Sequence, residues 1–316
     1  MFVRQVTKKL AGLAAGTAAW ATSVANERGE VLNTVLTTSE SLDALGPLAT
    51  GLVDRYRRAG QQPPAALYTD RDCCRIGAGR SRLQELFGAW PGLVVRLDAW
   101  HYMRRFALGL TSPSHPLYGT FMARLSACLL EWDAGDVAQL EGAKLAQLRE
   151  DGVAEPTAHA ARLAISRSEL ARHCRRRTAG VQATVDRIQR LLLELADATD
   201  VIGTPLLNVD EMAAIWEEQR RHVVCLQDPE EAACPPLYVQ TGTSRMGGVT
   251  LPVFRCARGT TGLESYHLHL CRFIPGKKPR RIRRAIEIAE HQLNDLPSIV
   301  SSPCTFHILT TCRSLF

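Results

Sequence analysis

The chain has 316 residues, of which 46% are hydrophobic and 22% charged, and it carries a formal net charge of +6 with a pI near 8.9. That is enough apolar material for one large or two ordinary domains. No run approaches the roughly 18 to 20 apolar residues that a bilayer span needs, which argues against a membrane-embedded role. The basic excess rests on arginine, whose planar fork suits phosphates, so the composition favours a polyanionic partner.

The first residues read in two ways. Arg4, Lys8 and Lys9 ahead of a small-residue apolar run resemble a weak signal or transit peptide. Alternatively they lead into a hairpin, with Thr17–Val24 β-compatible, a turn at Asn26-Glu27-Arg28-Gly29, and Val31–Thr37 alternating apolar with polar residues. Gly46–Ala59 then places Leu48, Leu52, Val53 and Tyr56 at helical spacing, until Gly60 and Pro63-Pro64 stop the helix.

Next comes the most informative stretch. A short apolar run, Ala65–Tyr68, leads to Asp70, and a second, Leu93–Leu97, ends at Asp98, with an amphipathic segment, Arg80–Gly88, between them. This is strand-helix-strand punctuation. Carboxylates at the ends of parallel strands are where ligand and catalytic groups gather in open α/β sheets, whereas a single such Asp serves as readily as a helix N-cap. Asp98-Ala99-Trp100-His101 sets an acid and an imidazole three apart on one helical face, a spacing that lets the carboxylate orient the ring.

From about Pro116 to Gln227 helical spacing replaces strand alternation, predicting helices over 117–130, 136–150, 158–174, 181–199 and 210–221. Arg175, Arg176 and Arg177 cluster at the end of the third, as a solvated helix end or a phosphate contact. Tyr238–Thr243 and Leu251–Arg255 are β-like around Gly247-Gly248. A Gly/Thr loop then opens a helix with Glu264 in its first turn, where the helix dipole alone would favour an acid. His267, His269 and Cys271 follow, but positions i and i+2 point to different helix faces, which suits core roles better than shared ligation. The remaining tail is basic, then Ser/Cys/Thr-rich, and is expected to be weakly ordered.

The ten cysteines are scattered and read as mostly reduced. Cys73 and Cys74 are adjacent, no CxxC pair exists, and the spacings fit neither a zinc ribbon nor a finger, which argues against structural zinc. No phosphate loop, dinucleotide fingerprint or nucleophile elbow is present. If Asp70 and Glu264 met across a sheet, they would offer hard oxygen ligands for Mg²⁺ or Mn²⁺, the ions that activate water or a 3′-hydroxyl against a phosphodiester. Arg71, Arg75, Arg104 and Arg105 lie close to these acids in sequence and are candidate contacts to a DNA backbone.

The phrases LYTDRDCC, RLDAWHYMRRFALGLTSPSHPLYGTFM, RCARGTTGLESYHLHL and FIPG resemble the transposase core of eukaryotic cut-and-paste elements of the Mutator-like and related groups, and more closely uncharacterised transposon-derived proteins of fish. The resemblance runs from about residue 6 to 276. It implies an α/β fold with an RNase H-like mixed sheet interrupted by a large all-α insertion: core over 1–115 and 236–275, insertion over 116–235, basic tail over 276–316. It also implies a DDE triad with Asp70 second and Glu264 third, and a motif of the C/DxxH type at Asp98 and His101. The first acid of such a triad belongs on a first strand near Val6, where Met1–Gln5 holds no carboxylate. The expected protein is therefore a nuclear, transposase-derived DNA-binding chain, N-terminally incomplete and inactive as a metal-dependent nuclease, with homo-oligomers compatible. A domesticated, non-catalytic DNA- or protein-binding scaffold is the alternative.

Overall fold

A computed structural model of the chain describes residues 20–37, 39, 41–74, 79–230, 234, 236–273 and 306–310. The leader-like segment before Trp20, Arg75, and the tail apart from 306–310 lie outside the described residues. Strands β1 (Trp20–Asn26) and β2 (Val31–Thr37) are followed by α1 (Gly46–Arg58), β3 (Ala66–Thr69), α2 (Arg82–Leu86), β4 (Val94–Leu97) and α3 (Ala99–Phe106). Next come α4 (Tyr118–Leu129), β5 (Leu130–Trp132), α5 (Ala134–Glu150), α6 (Ala158–Ala164), α7 (Arg167–His173), β6 (Arg176–Thr178) and α8 (Val181–Leu195). The chain continues through α9 (Val209–Arg220), α10 (Val223–Leu226), the hairpin β7 (Tyr238–Met246) and β8 (Val249–Cys256), α11 (Thr261–Phe273) and β9 (Phe306–Thr310). The class is mixed α/β. No described helix is long and apolar enough to cross a membrane.

The chain divides into two units, one of Met1–Tyr118, Ala196–Pro235 and Arg258–Phe316, the other of Gly119–Leu195 and Pro236–Ala257. The first unit holds a five-stranded sheet in the order β2-β1-β9-β3-β4. The β1–β2 hairpin forms as its alternation predicts, and Asn26 closes the turn by accepting from the Arg28 and Glu30 amides at 3.0 and 2.9 Å. Pro47 opens α1, which buries Leu48, Leu52 and Tyr56 on one face; Tyr56 meets Trp90 edge-on at 5.5 Å, and Trp90 stacks on Phe87. Strands β3 and β4 are parallel, with Thr69 level with Leu97. Between them α2 starts on a Ser81–Gln84 capping box.

The centre of this sheet differs from expectation. β9 comes from the tail expected to be weakly ordered, and pairs antiparallel with β1 and parallel with β3. Its five residues, Phe306-His307-Ile308-Leu309-Thr310, are a short β-favouring run that the surrounding basic and Ser-rich composition hides.

The second unit packs Leu140 and Ala143 of α5 against Cys174 and Leu251, with Trp132, Ile165, Leu170, Met246 and Val249 around them. Here too the boundaries move. Residues 196–235, placed in the insertion by their helical pattern, belong to the first unit, where Gly109 seats against Met212 of α9. The β7–β8 hairpin, placed in the core by its β pattern, belongs to the second through Leu251. The block predicted as wholly helical also contains the β5–β6 pair. The helix predicted over 158–174 is two helices, because Ser166 restarts the chain with its own capping box to Glu169.

Gly247 shows how tightly the hairpin is held. Its φ is +53°, and a Cβ there would run into the Gln147 nitrogen and lie 2.6 Å from the Ala143 oxygen of α5. At Gly248, φ is +71° but the nearest atom, Glu150 Oε1, is 3.6 Å from such a Cβ. Gly248→Ala is therefore expected to cost only the left-handed backbone penalty, about 1–2 kcal/mol. Gly247→Ala adds an overpacking cost of about 1–3 kcal/mol on top. Hydrogen exchange of the α5 and β7–β8 amides in the two variants checks this, and equal losses would contradict the close approach.

Candidate functional site

The acids at the ends of β3 and β4 leave the sheet at the same edge, because the strands are in register and the Asp98 amide donates to the Thr69 carbonyl at 2.7 Å. Asp98 is both things the sequence allowed. It caps α3, its Oδ1 accepting from the His101 amide at 2.8 Å, and the same oxygen lies 3.0 Å from His101 Nδ1. Its other oxygen accepts from the Thr260 amide at 2.8 Å. That approach depends on Gly259, whose φ is +91° and where a Cβ would sit 3.0 Å from Asp98 Oδ2.

Thr260 immediately precedes α11, and one turn into that helix Glu264 puts Oε1 3.1 Å from His101 Nε2. Both ring nitrogens thus face carboxylates, and an imidazolium donates from both. Burial alone would lower the His101 pKa. The hydrogen bonds to Asp98 and Glu264, with the charges of Asp98 and Asp70, override it and push the pKa up to about 9. Burial opposes ionisation of Asp98, yet its bonds to His101 and to the His101 and Thr260 amides hold it below the usual carboxylate range. Glu264 is lowered too, first by its bond to His101. Asp70 is 6% exposed, and its carbonyl accepts from Arg105 Nη2 at 2.7 Å.

Asp98 and Glu264 therefore converge on one buried imidazole, and Asp70 is close enough for its charge to act on the same ring. The predicted arginines divide. Arg105 is a strut, donating also to Gln219 Oε1 at 2.8 Å, and exposed Arg175 forks onto Asp136 at 2.8 and 2.9 Å. Arg71 pairs with Asp72 at 3.5 Å. Arg104 is exposed and lies 5.1 Å from the ring centre of half-exposed Trp100. In the second unit Arg176 lies over Trp132, and Arg177 is exposed beside Glu131 at 3.8 Å. His267 is buried against Ser23 at 2.8 Å while His269 faces outward, so the two share no ligand.

Of the two acids to which the resemblance assigns Mg²⁺ or Mn²⁺, Glu264 is already engaged by His101. Both Asp98 oxygens and one Glu264 oxygen already accept hydrogen bonds, and an imidazolium stands between Asp98 and Glu264 where a divalent cation would have to compete with it. Two-metal phosphoryl transfer uses a shared set of carboxylates on ions about 3.5–4 Å apart. Central strand β9 carries no acid.

A second cluster escaped the sequence reading. Cys73 and Cys74, in the loop after β3, meet His222 and Cys225 at α10, and their ligand atoms all lie within 4.8 Å of one another. His222-Val223-Val224-Cys225 has the i, i+3 spacing of a metal half-site, which a search for CxxC pairs passes over. The adjacent Cys73-Cys74 pair gives no spacing signal of its own. Compared with known proteins, the chain matches no family model, no curated protein and no solved structure.

Proposed function

We propose that this chain is a transposase-derived protein with an RNase H-like core that acts in the nucleus by binding DNA without cutting it. The observation that carries this reading is the meeting of Asp98 and Glu264 on the two sides of the His101 ring, at the edge where parallel β3 and β4 end. It joins the phrases RLDAWHYM and GTTGLESYH, which are among those that resemble transposase cores. A hairpin and a parallel strand pair within one mixed sheet support this reading. One feature favours binding over cleavage: the His101 ring engages Asp98 and one oxygen of Glu264, so a metal would have to displace it. The excess of positive charge supports a polyanionic partner.

Fluorescence anisotropy of duplex DNA with the full chain, across a salt series, tests the binding. Affinity is expected to fall linearly in log–log form with salt and to be unchanged by EDTA, and Arg104→Ala is expected to reduce the salt slope by about 1. Absence of binding at low salt would remove the reading. Plasmid DNA is expected to stay intact with Mn²⁺; nicking that disappears in Asp70→Ala would show a working nuclease instead.

A further inference from the structure

We propose that Cys73, Cys74, His222 and Cys225 form a closed Zn²⁺ site that clamps the loop after β3 to α10. The inference stands apart from the DNA-binding reading and rests on geometry. Zn–S bonds of about 2.3 Å and Zn–N bonds of about 2.0–2.1 Å at tetrahedral angles separate sulfur from sulfur by about 3.8 Å, and sulfur from nitrogen by about 3.6 Å. The Cys73–Cys74 and Cys74–Cys225 sulfurs are 3.9 and 3.5 Å apart, and His222 Nδ1 is 3.5 and 3.0 Å from Cys73 and Cys74. Four side chains thus outline one tetrahedron.

The local backbone is built for this. Asp72 has a φ of +54°, a left-handed turn that an aspartate tolerates better than most residues, and it comes immediately before the cysteine pair. On the other side, His222 is the residue before α10 and Cys225 lies within it, one turn on. Cys73 and Cys225 are buried, and Cys74 and His222 partly so. Three thiolates and an imidazole are a soft donor set that selects Zn²⁺ over Mg²⁺ or Mn²⁺. Four protein ligands leave no open position, so the metal holds structure rather than activating water. Binding displaces the thiol protons, so affinity rises with pH. The clamp begins three residues after Asp70 and would fix where that acid sits.

The test uses the full chain, purified under reducing conditions without added metal and then loaded with Zn²⁺ or Co²⁺. Elemental analysis is expected to give about one zinc per chain, with X-ray absorption fitting three sulfurs and one nitrogen at about 2.3 and 2.0–2.1 Å. Co²⁺ is expected to give the visible bands of a tetrahedral thiolate site. Zinc is expected to protect Cys73, Cys74 and Cys225 from alkylation while exposed Cys256 stays reactive, a readout that needs no variant. Cys74→Ser and His222→Ala are expected to lose stoichiometric zinc, and Cys256→Ser to retain it. The proposal is overturned if no metal binds the reduced chain, if alkylation of the three cysteines is indifferent to zinc, or if peptide mapping finds a Cys74–Cys225 disulfide in the native protein.

Discussion

Replacing Asp98 with alanine is expected to cost about 3–5 kcal/mol of local stability, the loss typical of removing one partner from a buried ion pair. The side chain accepts from two amides and the His101 ring at once, so its removal leaves a buried imidazolium half-paired and the Thr260 amide without its acceptor. An N-cap alone would cost only about 0.5–2 kcal/mol. Because the chain has two units, a single unfolding midpoint is a poor measure, and hydrogen exchange of the β3 and β4 amides is the suitable one. Asp98→Asn keeps a capping oxygen while removing the charge, and is expected to fall between the two. A loss in Asp98→Ala no larger than a cap would show that the contacts to His101 and Thr260 contribute nothing.

The second large effect is on pH dependence. His101 is raised from 6.5 to about 9, so its contribution is fully present below pH 6.5, declines as the pH rises, and is gone above about 9. That shift corresponds to a contribution on the order of 3 kcal/mol. At the acid end the sign reverses: Asp98 and Glu264 are held low, so what they contribute is lost as the pH falls through their folded values. Stability is thus expected to plateau between the carboxylate range and pH 6.5. NMR titration of the His101 ring checks the midpoint, and His101→Gln is expected to flatten the alkaline limb. A midpoint at or below 6.5 would mean that burial wins over the two acids.

The parts of this molecule that were legible in the sequence are those set by neighbours along the chain. Ala66–Thr69 and Val94–Leu97 stand out as short apolar runs stopped by acids, and Asp98-x-x-His101 reads as one helical turn because i and i+3 share a face. The β1–β2 hairpin is visible in its alternation and its turn. The helix break at Ser166 was also readable, since Ser166 and Glu169 make a capping box, but the continuous apolar spacing of 158–174 obscured it. What depends on distant partners was not legible. The second carboxylate on the His101 ring, Glu264, is brought from another element, and the thiol cluster joins a half-site at i, i+3 to an adjacent cysteine pair that gives no spacing signal. The β7–β8 hairpin has a clear β pattern, yet nothing in that pattern says that Gly247 lies against the backbone of α5.

The sheet of the first unit has one further consequence, for how it can be assembled. β9 bridges β1 and β3, although it is made more than 200 residues after them. On the ribosome, the early hairpin and the β3–β4 pair must wait as separate fragments until β9 emerges to join them. Such contact order slows folding and leaves unpaired strand edges exposed meanwhile. Slow joining of the two fragments is the consequence expected of this topology, whatever the finished protein binds.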